Sequence, residues 1–74
     1  MAQVAVLFFG RMADVAGVRQ MSREADRLYA LRDGVLAGAD AKDVRMSVNQ
    51  VQVFADQDLQ DGDEVAFFSV FSGG

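Results

Sequence analysis

The chain contains no cysteine, no histidine, no proline and no tryptophan. Without cysteine there is no disulfide framework, no thiolate zinc site and no cysteine nucleophile. Without histidine the commonest metal ligand is missing, and so is the commonest general acid or base near neutral pH. Purely apolar runs are only a few residues long, far short of the roughly 20 that a membrane helix needs. The opening MAQVAVLFFG carries no basic stretch ahead of its apolar run and no cleavage pattern. No signal peptide is therefore expected, and a cytoplasmic, reducing setting fits.

Positive charge is scarce and unevenly placed. Seven basic residues face eleven acidic ones, for a net charge of −4. All seven lie within residues 1–45, whereas residues 46–74 carry only Asp56, Asp58, Asp61, Asp63 and Glu64. Nucleic acid and anionic membrane need a basic face, so both are disfavoured as partners. The acidic half is expected to prefer a partner with a basic surface.

At 74 residues, 51% hydrophobic and 24% charged, the composition is that of one small globular domain. A core this size, without staples, sits near the lower limit of independent stability. Val4 to Phe9 (VAVLFF) reads as a largely buried strand bounded by Gly10. Residues 11–16 (RMADVA) place Met12, Val15 and Ala16 at helical spacing, and Gly17 stands where a glycine ends a helix. Val18 to Glu24 alternates poorly and fits an edge strand or a loop. From Asp26, a reasonable N-cap, Leu28, Leu31, Val35 and Leu36 form one stripe of a helix that ends near Gly38, with Gly34 an interruption. Val44 to Phe54 reads as a hairpin turning at Asn49-Gln50. An acidic bend from Asp56 to Asp63, anchored by Leu59, leads to a last strand from Glu64 to about Phe71. Short strands around one main helix indicate an α+β fold with a mixed sheet.

The acidic bend does not fit a calcium loop. Counted from Asp56, positions 5, 6 and 12 are Gln60, Asp61 and Phe67, where that loop needs an acid, glycine and glutamate. A solvated turn is the expected reading, and no metal ligand set is expected. The phenylalanines are more informative. Neighbouring residues on a strand point to opposite faces, so one member of each pair, Phe8-Phe9 and Phe67-Phe68, enters the core. The others are either covered by a helix or left exposed as a docking surface.

The end of the chain, Gly73-Gly74, is either a frayed terminus or a functional one. Two terminal glycines arise by chance in roughly one chain in two hundred at ordinary glycine usage. They carry no side chains, so a free carboxylate there can pass through a narrow channel into another protein. ATP can adenylate such a carboxylate, and sulfur or nitrogen can then attack it. A chain working in this way is substrate and carrier, and needs no catalytic side chain of its own.

LQDGDEVAFFSVFSGG (Leu59 to Gly74), VNQ (Val48 to Gln50) and VLFFGRMADVAG (Val6 to Gly17) together resemble the MoaD family, the ubiquitin-like sulfur carriers that form the small subunit of molybdopterin synthase. The resemblance implies a β-grasp fold over residues 1–71 and a flexible tail at 72–74. It implies that Gly74 is adenylated by an E1-like enzyme at the expense of ATP, and then thiocarboxylated with sulfur from a donor protein. Gly73 gives the tail clearance. The tail then enters the large subunit, where sulfur passes to cyclic pyranopterin monophosphate to build the dithiolene. No permanently bound cofactor is implied, and the chain is not catalytic alone. The residues fitting the family's docking face are Phe9, Phe68, Val70 and Phe71.

Three positions depart from the family pattern. Ser69-Val70 stands where Pro-Pro is usual, which leaves the tail less pre-ordered. Ala13-Asp14 replaces an Arg-Glu pair in the first helix, with Arg11 the nearby cation. Gln52 occupies a hairpin position that is commonly apolar. Two other readings remain: a carrier serving thiamine, tRNA thiolation or cysteine synthesis, and an inert interaction module. The sole lysine, Lys42, makes chain-forming modification unattractive.

Overall fold

The computed structural model describes residues 2–36 and 44–69. Seven elements follow one another: β1 (Gln3–Phe8), α1 (Arg11–Ala16), β2 (Gln20–Glu24), α2 (Leu28–Leu36), β3 (Val44–Val48), β4 (Val51–Val53) and β5 (Glu64–Ser69). The strands form one sheet in the order β2-β1-β5-β3-β4. Its central strand β5 runs parallel to β1, with Val6 opposite Val65 and Phe8 opposite Phe67. Every other pairing is antiparallel. This is the mixed sheet on one main helix that the resemblance implies.

Alternation along the strands sets the core. Val4, Val6 and Phe8 of β1, Val44, Met46 and Val48 of β3, and Val65 and Phe67 of β5 are buried on one face. Leu28, Leu31 and Leu36 of α2 close over them, as their stripe in the sequence requires. Phe8 and Phe67 stack with centroids 5.8 Å apart and planes at 20°. Such a pair adds about 0.5–1.5 kcal/mol beyond the area it buries. Met12 is the buried residue of α1, whereas Val15 is exposed.

Residues 18–24, open between strand and loop in the sequence, supply the edge strand β2 over Gln20–Glu24, antiparallel to β1. The poor alternation has a simple cause: in β2 only Met21 is even partly buried, so almost no position had to be apolar. The hairpin turns at Asn49 and Gln50, both with positive φ, 51° and 70°. That geometry matches the twist of the flanking strands. The Asn49 side chain is also anchored across the fold, accepting from Glu64 N at 3.0 Å and donating to Asp63 at 3.0 Å. Gly17 closes α1 in the left-handed conformation, φ 81°, and its N–H reaches the Ala13 carbonyl.

Two expectations need correction. Asp26 is not the side-chain cap of α2. Its carboxylate accepts from Ala2 N at 3.1 Å, and α2 starts at Leu28. The first donors of the helix are met from the acidic bend: Leu28 N reaches the Gln57 carbonyl, and Tyr29 N the Asp56 carboxylate, each at 2.9 Å. Nor is the bend merely solvated. Asp56 and Asp58 pair with Arg27 at 3.0 and 3.1 Å, Asp61 accepts from Gln3 N, and Asp63 from Gln60 N. With Leu59 buried beneath, the bend is a bracket joining α2 to the start of β1. The strand expected from Glu64 to about Phe71 is described as far as Ser69, and the helix end expected near Gly38 lies outside the described residues.

Candidate functional site

The sheet has a second face, which neither α1 nor α2 covers among the described residues. On it lie Ala5 and Leu7 of β1, Glu64, Ala66 and Phe68 of β5, Arg45 and Ser47 of β3, and Gln52 of β4, as the registers require. Phe9 continues the alternation one residue beyond β1: its N–H donates to the Phe67 carbonyl at 3.0 Å, extending the parallel ladder. Phe8 is buried, while Phe9 keeps 53% of its surface exposed. On the neighbouring strand Phe67 is fully buried and Phe68 only partly. Phe9 and Phe68 therefore stand side by side on the open face, one strand spacing of about 4.8 Å apart. Leu7 and Ala66 form the apolar floor next to them.

Gly10 makes the corner after Phe9 possible. At φ 55° and ψ −128° it occupies a region that other residues avoid, and α1 begins at once. A groove of 510 Å³ opens between this corner and the start of β2, lined by Leu7, Phe9, Gly10, Ala13, Asp14 and Arg19 among others. Ala13 leaves room there. Neither Arg11 nor Asp14 makes an ion pair among the described residues, so no bridge substitutes for the Arg-Glu pair in α1. Gln52 is exposed on the open face, as a polar residue can be.

Of the sites expected from the sequence, Phe9 and Phe68 are brought together; Val70, Phe71, Gly73 and Gly74 lie outside the described residues. Leu7, Ala66 and Arg45 share the face without having been singled out. Counting back by two from Phe9 and Phe68 finds the first two, because alternate residues line one face. Arg45 is found only from the register that sets it opposite Phe68.

Among the described residues, no three acids, histidines or cysteines group so as to hold a metal. The perturbed titrations belong to the bracket instead. The Asp56 carboxyl lies below its ordinary range because Tyr29 N–H donates to it, and Arg27 adds to the effect against partial desolvation. Arg27 is raised in turn by Asp56 and then Asp58. No helix of the described residues is long and apolar enough to cross a membrane.

A family model described as ThiS family matches residues 6–74. The Escherichia coli K12 protein named molybdopterin synthase sulfur carrier subunit is 36% identical over an 88-residue alignment, which takes in 96% of this chain and 99% of that protein. A solved structure from Pyrococcus furiosus, a putative molybdopterin converting factor subunit 1, superposes with a TM-score of 0.79 at 28% identity, covering 93% of this chain and 98% of the other. The small archaeal modifier protein 1 of Haloferax volcanii superposes at 0.76 and 21% identity, over 99% and 100% of the two chains. That last likeness is one of fold.

Proposed function

This chain belongs to the ThiS family and is a ubiquitin-like sulfur carrier, and on that premise we propose that it is the small subunit of a molybdopterin synthase. The observation that carries this choice of pathway is the near full-length similarity to the Escherichia coli subunit. In this reading the Gly74 carboxylate attacks the α-phosphorus of ATP within an E1-like enzyme, and pyrophosphate leaves. A persulfide carried by a donor protein then attacks the acyl carbon and AMP departs, giving an acyl disulfide. A second thiol cleaves its S–S bond, which leaves the thiocarboxylate on Gly74 and a disulfide on the donor side. Gly73 lets this end thread into the large subunit. There the sulfur is given up to cyclic pyranopterin monophosphate, and water restores the carboxylate.

The chain's own part is presentation, and alone it catalyses nothing. Phe9 and Phe68, together with Val70 and Phe71, serve to dock the chain on the large subunit and on the activating enzyme. Burying an exposed aromatic on binding is worth about 1.5–3 kcal/mol, enough to anchor an interface. Residues 1–71 form the presenting domain and 72–74 the tail. No cofactor stays bound, and the work is done in the cytoplasm.

The test is an intact mass after co-expression with the activating enzyme and sulfur donor. Sulfur in place of one oxygen at the C-terminus is expected, followed by dithiolene formation when the large subunit and pterin are added. A chain that never gains sulfur is not a carrier. A chain that gains it but gives none to the pterin serves another pathway. The name of the family model favours such an alternative, a carrier for thiamine synthesis, which the segment after Phe9 and the DGDEVAFF string speak against. If removal of Gly73 and Gly74 leaves function intact, the chain is an interaction module.

A further inference from the structure

The parallel pairing of β1 with β5 sorts charge between the two ends of the sheet in a way that the sequence does not. Arg11 follows β1 and opens α1, and Arg19 precedes β2, its carbonyl accepting from Phe8 N. Arg45 sits opposite Phe68, one residue from the pair Val44 and Ser69. All three therefore gather at the end of the sheet from which β5 leads toward the C-terminus. Asp61, Asp63, Glu64 and Glu24 gather at the other end: Glu64 lies opposite Ala5, Glu24 opposite Gln3, and Asp61 receives Gln3 N. Among the described residues, Arg11, Arg19, Arg23 and Arg45 make no ion pair, whereas Arg27 and Arg32 do. Arg23 lies at the acidic end, opposite Val4, with its guanidinium beside Gly34 of α2 and off the open face. Asp14 is the one described acid lining the groove beside Phe9.

From this we infer that the partner surface receiving the end of this chain presents carboxylates around an apolar socket, with Arg19 and Arg45 setting the orientation of docking. Phe9 and Phe68 fill the socket, flanked by Arg19 on the β2 side and Arg45 on the β3 side. The acidic end of the sheet points away from the contact. This reverses the partner charge expected from the sequence, in which the whole acidic half was weighed as one surface. Cations that make no ion pair among the described residues break none on binding, and opposed charges raise the association rate and reject reversed encounters.

The inference rests on the carrier reading and concerns the activating enzyme as the partner measured. Association of the full chain with that enzyme is followed by stopped flow at low and high salt, with thiocarboxylate yield read by intact mass. The double variant Arg19→Glu/Arg45→Glu is expected to slow association at low salt by about tenfold or more and to flatten its salt dependence. Arg19→Lys/Arg45→Lys should keep most of the rate, and Glu24→Gln at the far end should leave it unchanged. Far-ultraviolet circular dichroism checks that each variant is folded. If the wild type forms a thiocarboxylate and the double Glu variant associates as fast, the charge inference fails and the carrier reading stands. If the wild type itself never gains sulfur, the carrier reading fails.

Discussion

The Asp56 carboxylate accepts the backbone N–H of Tyr29 at 2.9 Å, across 27 residues of sequence. The helix α2, described over Leu28–Leu36, is thus started by a group on the far side of a hairpin, and a helix of a few turns needs such support in water. Asp56→Ala is expected to lower Tm by about 5 °C, the usual consequence of a lost cap in a small domain. Asp26→Ala, which removes a tie to Ala2 and no helix cap, is expected to lower it less. Thermal unfolding followed at the helix signal compares the two.

The same carboxylate predicts a pH dependence. Its folded pKa lies below the ordinary value, chiefly through the Tyr29 N–H. It therefore stabilises the fold fully above the unfolded pKa, near 3.9, and the contribution is lost as pH falls through the folded value. The stability gap between wild type and Asp56→Asn is expected to stay constant above about pH 5 and to shrink below about pH 4. Urea titrations at several pH values measure it; a gap that widens on acidification contradicts the assignment.

The two phenylalanine pairs give opposite outcomes from chemically identical changes. Phe8→Ala empties a buried stacked site and is expected to cost about 3–5 kcal/mol, enough to unfold much of the population. Phe9→Ala removes a half-exposed ring and is expected to change stability by less than about 1 kcal/mol. Under the proposed function it should weaken binding to the large subunit about tenfold or more. Calorimetry on the free chain and on the complex separates the effects.

Those pairs were legible in the sequence because a period of two leaves no choice: adjacent bulky residues on one strand must part company. Asn49-Gln50 was legible because few residues tolerate positive φ. Residues 18–24 stayed open because an edge strand with both faces wet has no pattern to display. The capping of α2 and the sorting of arginines were invisible for another reason. Each depends on which strands are neighbours, and a window of sequence holds no trace of a partner some 27 positions away.

At Gly34 the helix α2 pays for flexibility without evident return. An added Cβ would meet only the guanidinium tip of Arg23, at 3.3 Å. That tip can swing aside, so Gly34→Ala is expected to stabilise the domain by about 0.5–1 kcal/mol. Chemical denaturation measures it.

Gln50 holds φ 70° at the second turn position, where glycine is preferred. Gln50→Gly is expected to raise stability by about 0.5–1 kcal/mol despite a looser unfolded chain. Asn49→Ala, which abandons the bonds to Glu64 N and Asp63, is expected to cost about 1–2 kcal/mol. Opposite signs at adjacent residues, read from urea midpoints, identify the turn type in solution.

Strand β5 is held on both sides, by β1 running with it and by β3 running against it. A pull on Ser69 along the strand loads every rung of both ladders together, in shear, instead of peeling them one by one. A partner that grips the end of the chain and later lets go can tug on it hard without unravelling what lies behind. A molecule meant for repeated loading and unloading gains from that anchorage, since each cycle returns it intact for the next.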